Sequence, residues 1–442
     1  MPDTESRVAD QTEVGSYFVA NYPPFSLWTG EAVEREARPA LERAPRPDVP
    51  LGLYLHIPFC RKRCHFCYFR VYTDKNAREV GQYLQALTHE WELYRRLPAV
   101  AGRKLAFVYF GGGTPSFLSR RQLEELVGGL SAETPWSDAE EVTFECEPGT
   151  LNEGKLEAIR TIGVTRLSLG IENFDDHILE LNGRAHRSRE VFRAYEFARK
   201  LDFPQINIDL IAGMLGESEE NWHACVRKTI ELEPDSVTIY QMELPFNTTI
   251  SKDLMKGTGH FETAADWPTK RRWVSEAFAA FESAGYHVGS AYTAVKDPSR
   301  TRFVYRDRLW EGADLAGLGV ASFGHVNGVH LQNLDAWGPY VGALTRDELP
   351  LARAYTPTPD ERFVREFVLQ LKRGSVEPGY FRAKYDVDVL ERYRSPLAEL
   401  RDEGYVRAAD PELVALSREG LLRADALLPR FFLPEHVGIR YT

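Results

Sequence analysis

The 442 residues carry a formal net charge of −11, and 43% of them are hydrophobic. That length and apolar content suffice for two or three domains around a large core, and the acidic balance disfavours a general nucleic-acid role. Five cysteines, two of them isolated (Cys146 and Cys225), give no disulfide framework and fit a reducing cytoplasm. The start Met1-Pro-Asp-Thr-Glu lacks the basic and apolar regions of a leader, and no run approaches membrane-spanning length.

Residues 1–50 read as a separate segment. An aromatic stretch, Tyr17 to Trp28, precedes a charged, Pro-bearing connector from Arg35 to Pro50, and is expected to pack beneath the core or plug its mouth. Between 51 and 285, six apolar, β-branched or aromatic runs recur: Leu51–Ile57, Leu105–Phe110, Glu141–Cys146, Thr165–Ile171, Gln205–Ile211 and Ser236–Met242. Segments of helical periodicity lie between them, at Val80–Leu97, Arg120–Leu130, Gly154–Ile162, Arg189–Leu201 and Glu219–Leu232. This alternation predicts an α/β fold in which parallel strands and crossover helices form a partial (β/α)6 barrel. Residues 286–350 read as an extension: a strand at Tyr286–Tyr292, the Arg-rich run Arg300–Trp310 and a glycine-rich connector from Gly312 to Gly328. From 351 to 442, helices at Glu361–Lys372, Leu390–Glu403 and Ser417–Leu427, with a hairpin pairing Tyr405–Arg407 and Leu413–Ala415, suggest a small winged-helix-like α+β domain. It has no basic recognition helix, so a docking lid is the expected role.

Chemistry in such barrels gathers where strands end. After the six runs come Cys60, then Gly111-Gly112-Gly113-Thr114, Glu145 with Glu147, Glu172, Asp209, and Gln241 with Glu243. Cys60, Cys64 and Cys67 form C-x3-C-x2-C. Three thiolates on one short loop can each ligate an iron of a [4Fe–4S] cluster, leaving the fourth iron open. The alternative is a zinc knuckle, but no fourth cysteine or well-placed histidine closes the site. The glycines allow a ligand to approach the backbone closely.

The blocks HIPFC-x3-C-x2-C, FGGGTP, FECEP, RLSLGIENF and NIDLIAG, in that order, resemble the oxygen-independent coproporphyrinogen III oxidase (HemN-like) superfamily of radical S-adenosylmethionine (SAM) proteins. The resemblance implies a [4Fe–4S] cluster on Cys60, Cys64 and Cys67, and SAM cleaved to a 5′-deoxyadenosyl radical. It also implies a reduced flavodoxin- or ferredoxin-type donor, and a monomer acting on a small molecule. Matched position by position, Tyr54, Gly111 and Glu145 fall on first-SAM positions, with Phe323 near the same site and Gly112 and Gly113 in the shared loop. Gly113, Thr114, Glu172, Arg184, Asp209 and Met242 fall on second-SAM positions.

Three departures from the oxidases stand out: Glu172 for a glutamine, Phe69 for a further cysteine, and an altered N-terminal pattern at Tyr17–Pro23. With Tyr68-Phe69-Arg70, they make the chain look closer to the methylases and cyclopropane-forming members, with Glu172 or Glu147 as acid/base. Two alternatives stay open. One is oxidative decarboxylation of a porphyrinogen, with Arg300–Arg308 binding carboxylates. The other is haem binding or trafficking without turnover.

Overall fold

The computed structural model describes residues 19–132, 134–245, 248–256 and 265–439; Tyr17, with the rest of 1–18, and the last three residues lie outside this set. All six anticipated strands form: β1 (Leu51–Ile57), β2 (Leu105–Gly112), β3 (Glu141–Cys146), β4 (Arg166–Glu172), β5 (Gln205–Ala212) and β6 (Ser236–Gln241). They pair in parallel, each with the next. The helix Ala77–Arg96 starts on an Asn76/Glu79 capping box and Arg120–Ser131 on a Ser119/Gln122 box, where side chains satisfy the first free N–H groups. Strand side chains are buried almost throughout, as expected of a parallel sheet that feeds a core.

The sheet does not stop at six strands. On the β6 side it gains β7 (His287–Val288) and β8 (Thr293–Val295). On the β1 side it gains β9 (Asp314–Leu318), β10 (Phe323–Val326), β11 (Val329–Asn333) and β12 (Leu351–Tyr355). The result is a 12-stranded mixed sheet ordered β12-β11-β10-β9-β1-β2-β3-β4-β5-β6-β8-β7. The glycine-rich stretch is therefore strand rather than connector. Its glycines permit close strand approach: a Cβ on Gly317 would lie 2.0 Å from the Phe323 carbonyl oxygen. β12 belongs to this sheet too, so the C-terminal unit starts after it rather than at 351.

The unit that follows has its own core, built by Phe363, Phe367, Phe381, Tyr393 and Phe431. It holds a three-stranded sheet of β13 (Ser375–Val376), β14 (Val406–Ala409) and β15 (Val414–Leu416). The expected helix at Leu390–Glu403 is broken at Tyr393, and that at Ser417–Leu427 at Arg423. Helices at Trp267–Ser283, Trp337–Thr345 and Pro378–Tyr385 were not anticipated.

The N-terminal segment does two things. Val33, Ala37 and Leu41 join the main core, whereas Val19 and Tyr22 join the C-terminal core. Tyr22 Oη lies 2.6 Å from His436 Nδ1, and Asp425 accepts the Val19 N–H at 2.8 Å. Among the described residues no helix is long and apolar enough to cross a membrane.

Candidate active site

The loop after β1 is stitched at its base, with Tyr72 N–H donating to Pro58 O (2.7 Å) and Cys60 N–H to Tyr72 O (3.1 Å). His65, between two thiols, has Nδ1 3.0 Å from Leu181 O, so its ring faces the β4–β5 connection and not the sulfurs. Thr114 Oγ1 lies 3.4 Å from Cys60 Sγ, and Arg184 Nη1 3.4 Å from Cys64 Sγ. Burial pushes the Cys60 thiol up to about 12 and the Cys67 thiol up to about 11. Loading a metal on these sulfurs must therefore release protons.

β2 runs directly into the glycine loop. Gly112 has φ +108°, and Gly113 N–H donates to Ile57 O at 2.9 Å, which ties the loop to the end of β1. A Cβ on Gly113 would meet Ile57 O and Pro58 C at 2.9 Å and Cys60 Sγ at 3.1 Å. Glu145, at the end of β3, accepts from Tyr109 Oη (2.6 Å) and Gly112 N (3.2 Å). Burial outweighs both bonds and raises its carboxyl to about 7.

Glu172 ends β4 in a left-handed conformation, φ 66°, beside a register shift between Gly170 and Glu172. A non-glycine residue held there is strained, and here the bulge turns its carboxyl toward Arg184, whose Nη2 lies 3.6 Å away. Burial lifts this carboxyl to about 7, with Arg184 opposing and Asp209 and Glu145 reinforcing. Asp209 accepts from Ser168 Oγ and Asn207 Nδ2, both at 2.9 Å, and is also raised by burial. Arg184 Nη2 also donates to Gly170 O, while its Nε is buried without a partner.

These groups face one cavity of about 810 Å³. Cys60, Cys64 and Cys67 form one end, with Gly112, Gly113 and Thr114 beside them; Glu145, Glu172, Arg184, Asp209 and Met242 line the adjoining wall. Tyr240, Gln241, Glu243, Tyr292 and Phe303 also line it, as do Val19 from the N-terminal segment and Leu422, Asp425, Phe432 and His436 from the C-terminal unit. Gln241 Oε1 and Glu243 Oε2 are buried here without a hydrogen-bond donor.

Over residues 54–228 the chain matches the family described as the radical SAM superfamily. That span belongs to the radical SAM superfamily. It is 26% identical over 380 residues to the heme chaperone HemW of Bacillus subtilis, covering 86% of this chain and 98% of that protein. To the oxygen-independent coproporphyrinogen III oxidase of Escherichia coli it is 27% identical over 339 residues, 74% of this chain and 72% of that one. The solved E. coli coproporphyrinogen III oxidase HemN shares the fold, with a TM-score of 0.81, 23% identity, and coverage of 95% of this chain and 99% of that one. These relatives are oxidases and chaperones, and they do not single out the methyl-transferring members that the sequence suggested.

A radical SAM protein implies an iron–sulfur cluster and SAM, and the donor set here fits both. Among the described residues, Glu219, His223 and Glu276 are the one trio of metal-ligating side chains with donor atoms within 4.8 Å of one another. Cys60, Cys64 and Cys67 are not such a trio, so at least two of their sulfurs lie more than 4.8 Å apart, a spread that suits a multi-iron cluster better than a single zinc ion. SAM carries an ammonium and a sulfonium, and three carboxyls (Glu145, Glu172, Asp209) line the cavity with the thiols, together with Arg184 and Arg166.

Several site expectations change in this radical SAM cavity. Tyr54 stacks behind Tyr109 (centroids 5.9 Å apart), and Gly111 sits under the same ring, so neither lines the cavity. Phe323 packs on Phe25 and Trp28 outside it; the aromatic from this part of the chain that reaches the cavity is Phe303, stacked against Arg166. Glu147 lines the cavity but is already engaged: Arg61 donates to both of its oxygens and His186 Nδ1 lies 3.3 Å away, and these neighbours outweigh burial and hold it at about 2. Arg306 pairs with Asp307 and Arg308 with Glu140, and no arginine of the 300–308 run lines the cavity, so that run is not its carboxylate-binding arm. Arg166 was missed, although the alternation Arg166, Ser168, Gly170 against Leu167, Leu169, Ile171 marks it as inward-facing. Nothing in the local sequence marks Tyr292, Asp425 or Phe432.

Proposed function

We propose that this chain is a HemN-type radical SAM enzyme that binds SAM at the thiol end of its cavity and a bulky, largely aromatic substrate against the part lined by Tyr240, Tyr292 and Phe303. The observation that carries this reading is the meeting of three thiols on the β1 loop with three strand-end carboxyls in one cavity. When bound, the cluster and SAM supply a 5′-deoxyadenosyl radical that removes hydrogen from an unactivated carbon. The chain's own residues bind, orient and exclude water. Glu145 and Asp209 offer negative charge to a cationic ligand, the Gly113 backbone admits it next to Cys60, and the segments at 19–22 and 422–436 cover the mouth. A second SAM fits the Thr114, Glu172, Arg184, Asp209 and Met242 wall. Electrons are expected from a reduced flavodoxin- or ferredoxin-type donor.

The named relatives support a tetrapyrrole substrate and oxidative decarboxylation of a propionate side chain. A second reading, methyl or methylene transfer with the second SAM as carbon donor, is favoured by Glu172, a carboxyl poised near neutrality where the oxidases carry an amide. Anaerobic turnover with SAM, reductant and coproporphyrinogen III separates them. Carbon dioxide with one 5′-deoxyadenosine per carboxylate lost supports the first. Methylthioadenosine or S-adenosylhomocysteine, formed only when another acceptor is supplied, supports the second. Stoichiometric haem binding with no SAM cleavage overturns both in favour of a chaperone.

A further inference from the structure

A second cavity, of about 310 Å³, lies between the β9–β12 side of the sheet and the C-terminal unit, and takes no part in the site above. Arg46, Arg362, Arg365, Lys384, His325 and Glu366 line it. The helix Pro359–Leu371 sets Arg362 and Arg365 three residues apart, on one face.

The charges do not balance. Arg365 is 7% exposed, and it donates only to neutral oxygens: Nε to Asn21 Oδ1 at 2.7 Å and Nη1 to Leu309 O at 3.2 Å. Arg362 donates Nη1 to Pro357 O at 3.0 Å. Among the described residues neither has a carboxylate partner. Arg46 shares Asp314 with Arg103 and leaves Nε buried without an acceptor. A Cβ on Gly328 would stand 3.9 Å from Nη1 of Arg46 and 4.0 Å from Nη1 of Arg362, so the two guanidinium groups flank one point. Glu366 is near enough to act on Arg365, but both of its oxygens are hydrogen-bonded by Lys384, at 2.8 and 2.9 Å. His325 bonds its buried neighbour His330 through Nδ1 (3.0 Å). Buried charges in folded proteins are paired, and here two guanidinium groups, one buried and one half-buried, have no carboxylate within hydrogen-bond reach while a third points an orphan N–H.

We propose that this cavity is a binding site for a phosphate-class oxyanion, held by Arg362 and Arg365 with Arg46 beside them. A dianion matches two uncompensated guanidinium groups, and tetrahedral oxygens suit several forked donors at once. The anion is either free inorganic phosphate or the phosphoryl group of a small monoester. It bridges two parts of the fold, since Arg46 and His325 lie on the sheet side and Arg362 and Arg365 belong to the C-terminal unit. That unit also covers the first cavity, so occupancy favours the covered form.

The test is anaerobic calorimetry on the cluster-loaded protein, titrated with inorganic phosphate, with phenyl phosphate and, at matched ionic strength, with chloride. The expected result is saturable one-to-one phosphate binding and a higher melting temperature, with no effect of chloride. Equal binding of phenyl phosphate assigns the site to monoesters; its exclusion assigns it to the free ion. Arg365→Gln and Arg362→Gln should each weaken binding roughly tenfold or more, the scale of a lost charge-assisted bond. Arg362 is half-buried, so its variant keeps the test alive if Arg365→Gln does not fold; Arg121→Gln, at an exposed helix position, should bind as wild type. Absence of saturable binding at millimolar phosphate, or unchanged affinity in Arg362→Gln, overturns the proposal.

Discussion

Adding one methyl group at Gly113 probes the active-site geometry most sharply. The Cβ of Gly113→Ala would sit 2.9 Å from Ile57 O and from Pro58 C, and 3.1 Å from Cys60 Sγ. Two of these three atoms are backbone, held by the Gly113 N–H to Ile57 O bond, so relief requires the β1–loop junction itself to move. Overpacking of this kind costs about 1–3 kcal/mol. Since the strain falls on the atoms that hold Cys60 and bound SAM, it should appear as about 5- to 150-fold weaker SAM binding, with iron content at or somewhat below wild type. Equilibrium dialysis of reconstituted protein measures the first, and iron and sulfide assays the second. Gly128→Ala is the internal control: it is exposed on the helix Arg120–Ser131 with nothing within 4 Å, and should stabilise by up to about 1 kcal/mol without touching SAM affinity. Wild-type SAM affinity and iron content in Gly113→Ala would refute the assignment of this loop.

Cys60→Ala, Cys64→Ala and Cys67→Ala should each abolish SAM cleavage, whereas Cys146→Ala and Cys225→Ala, at buried positions outside the triplet, should cost stability and spare cleavage; iron analysis with 5′-deoxyadenosine quantification decides. Glu172→Gln should retain SAM binding and leave oxidative decarboxylation within a few-fold, but slow any transfer step that needs a carboxylate base by about 100-fold or more; equal transfer rates would remove Glu172 from the chemistry. Arg184→Ala or Asp209→Ala should depress product more than 5′-deoxyadenosine, and label from the SAM methyl group should reach product if the second SAM is a carbon donor. Product formed at the normal rate without label ends the transfer reading. Glu145 and Glu172 both stand at about 7 against an ordinary 4.5. The native state therefore keeps protons that the unfolded chain releases between those values, so ligand-free stability should fall as pH rises from about 4.5 to 7 and level off beyond. Urea unfolding across that range, and SAM affinity that strengthens through pH 7, test this; a flat stability profile contradicts it.

Much of this was written locally. β1 to β6 are runs of buried apolar residues, so hydrophobicity alone locates them, and Cys60, Cys64 and Cys67 lie on one loop. The glycine loop and the carboxyls follow because strand ends in a parallel sheet share one face. The losses have a common cause. Phe323 and Phe303 are both aromatics near the end of the core, and only tertiary packing decides which one reaches the cavity. Glu147 looks like any strand-end acid until Arg61, 86 positions away, and His186 fold onto it. The strands β9 to β11 hide in a glycine-rich stretch because their hydrogen bonds depend on partners such as β1, more than 250 residues earlier.

The cover of the first cavity has a consequence for coupling efficiency. Tyr22 and His436 meet across 414 positions of chain, and Val19 and Asp425 across 406. The thiols, glycines and carboxyls lie within residues 54–228, the span matched to the superfamily; the door does not. On the proposed function, cleaving SAM and spending the resulting radical on substrate would thus fall to separate parts of the chain. Loosening the Tyr22–His436 latch should leave consumption of SAM intact while lowering the yield of product per SAM consumed. A measured drop in that ratio at constant 5′-deoxyadenosine output would mark the latch as a guard against wasted turnovers rather than a support for the fold.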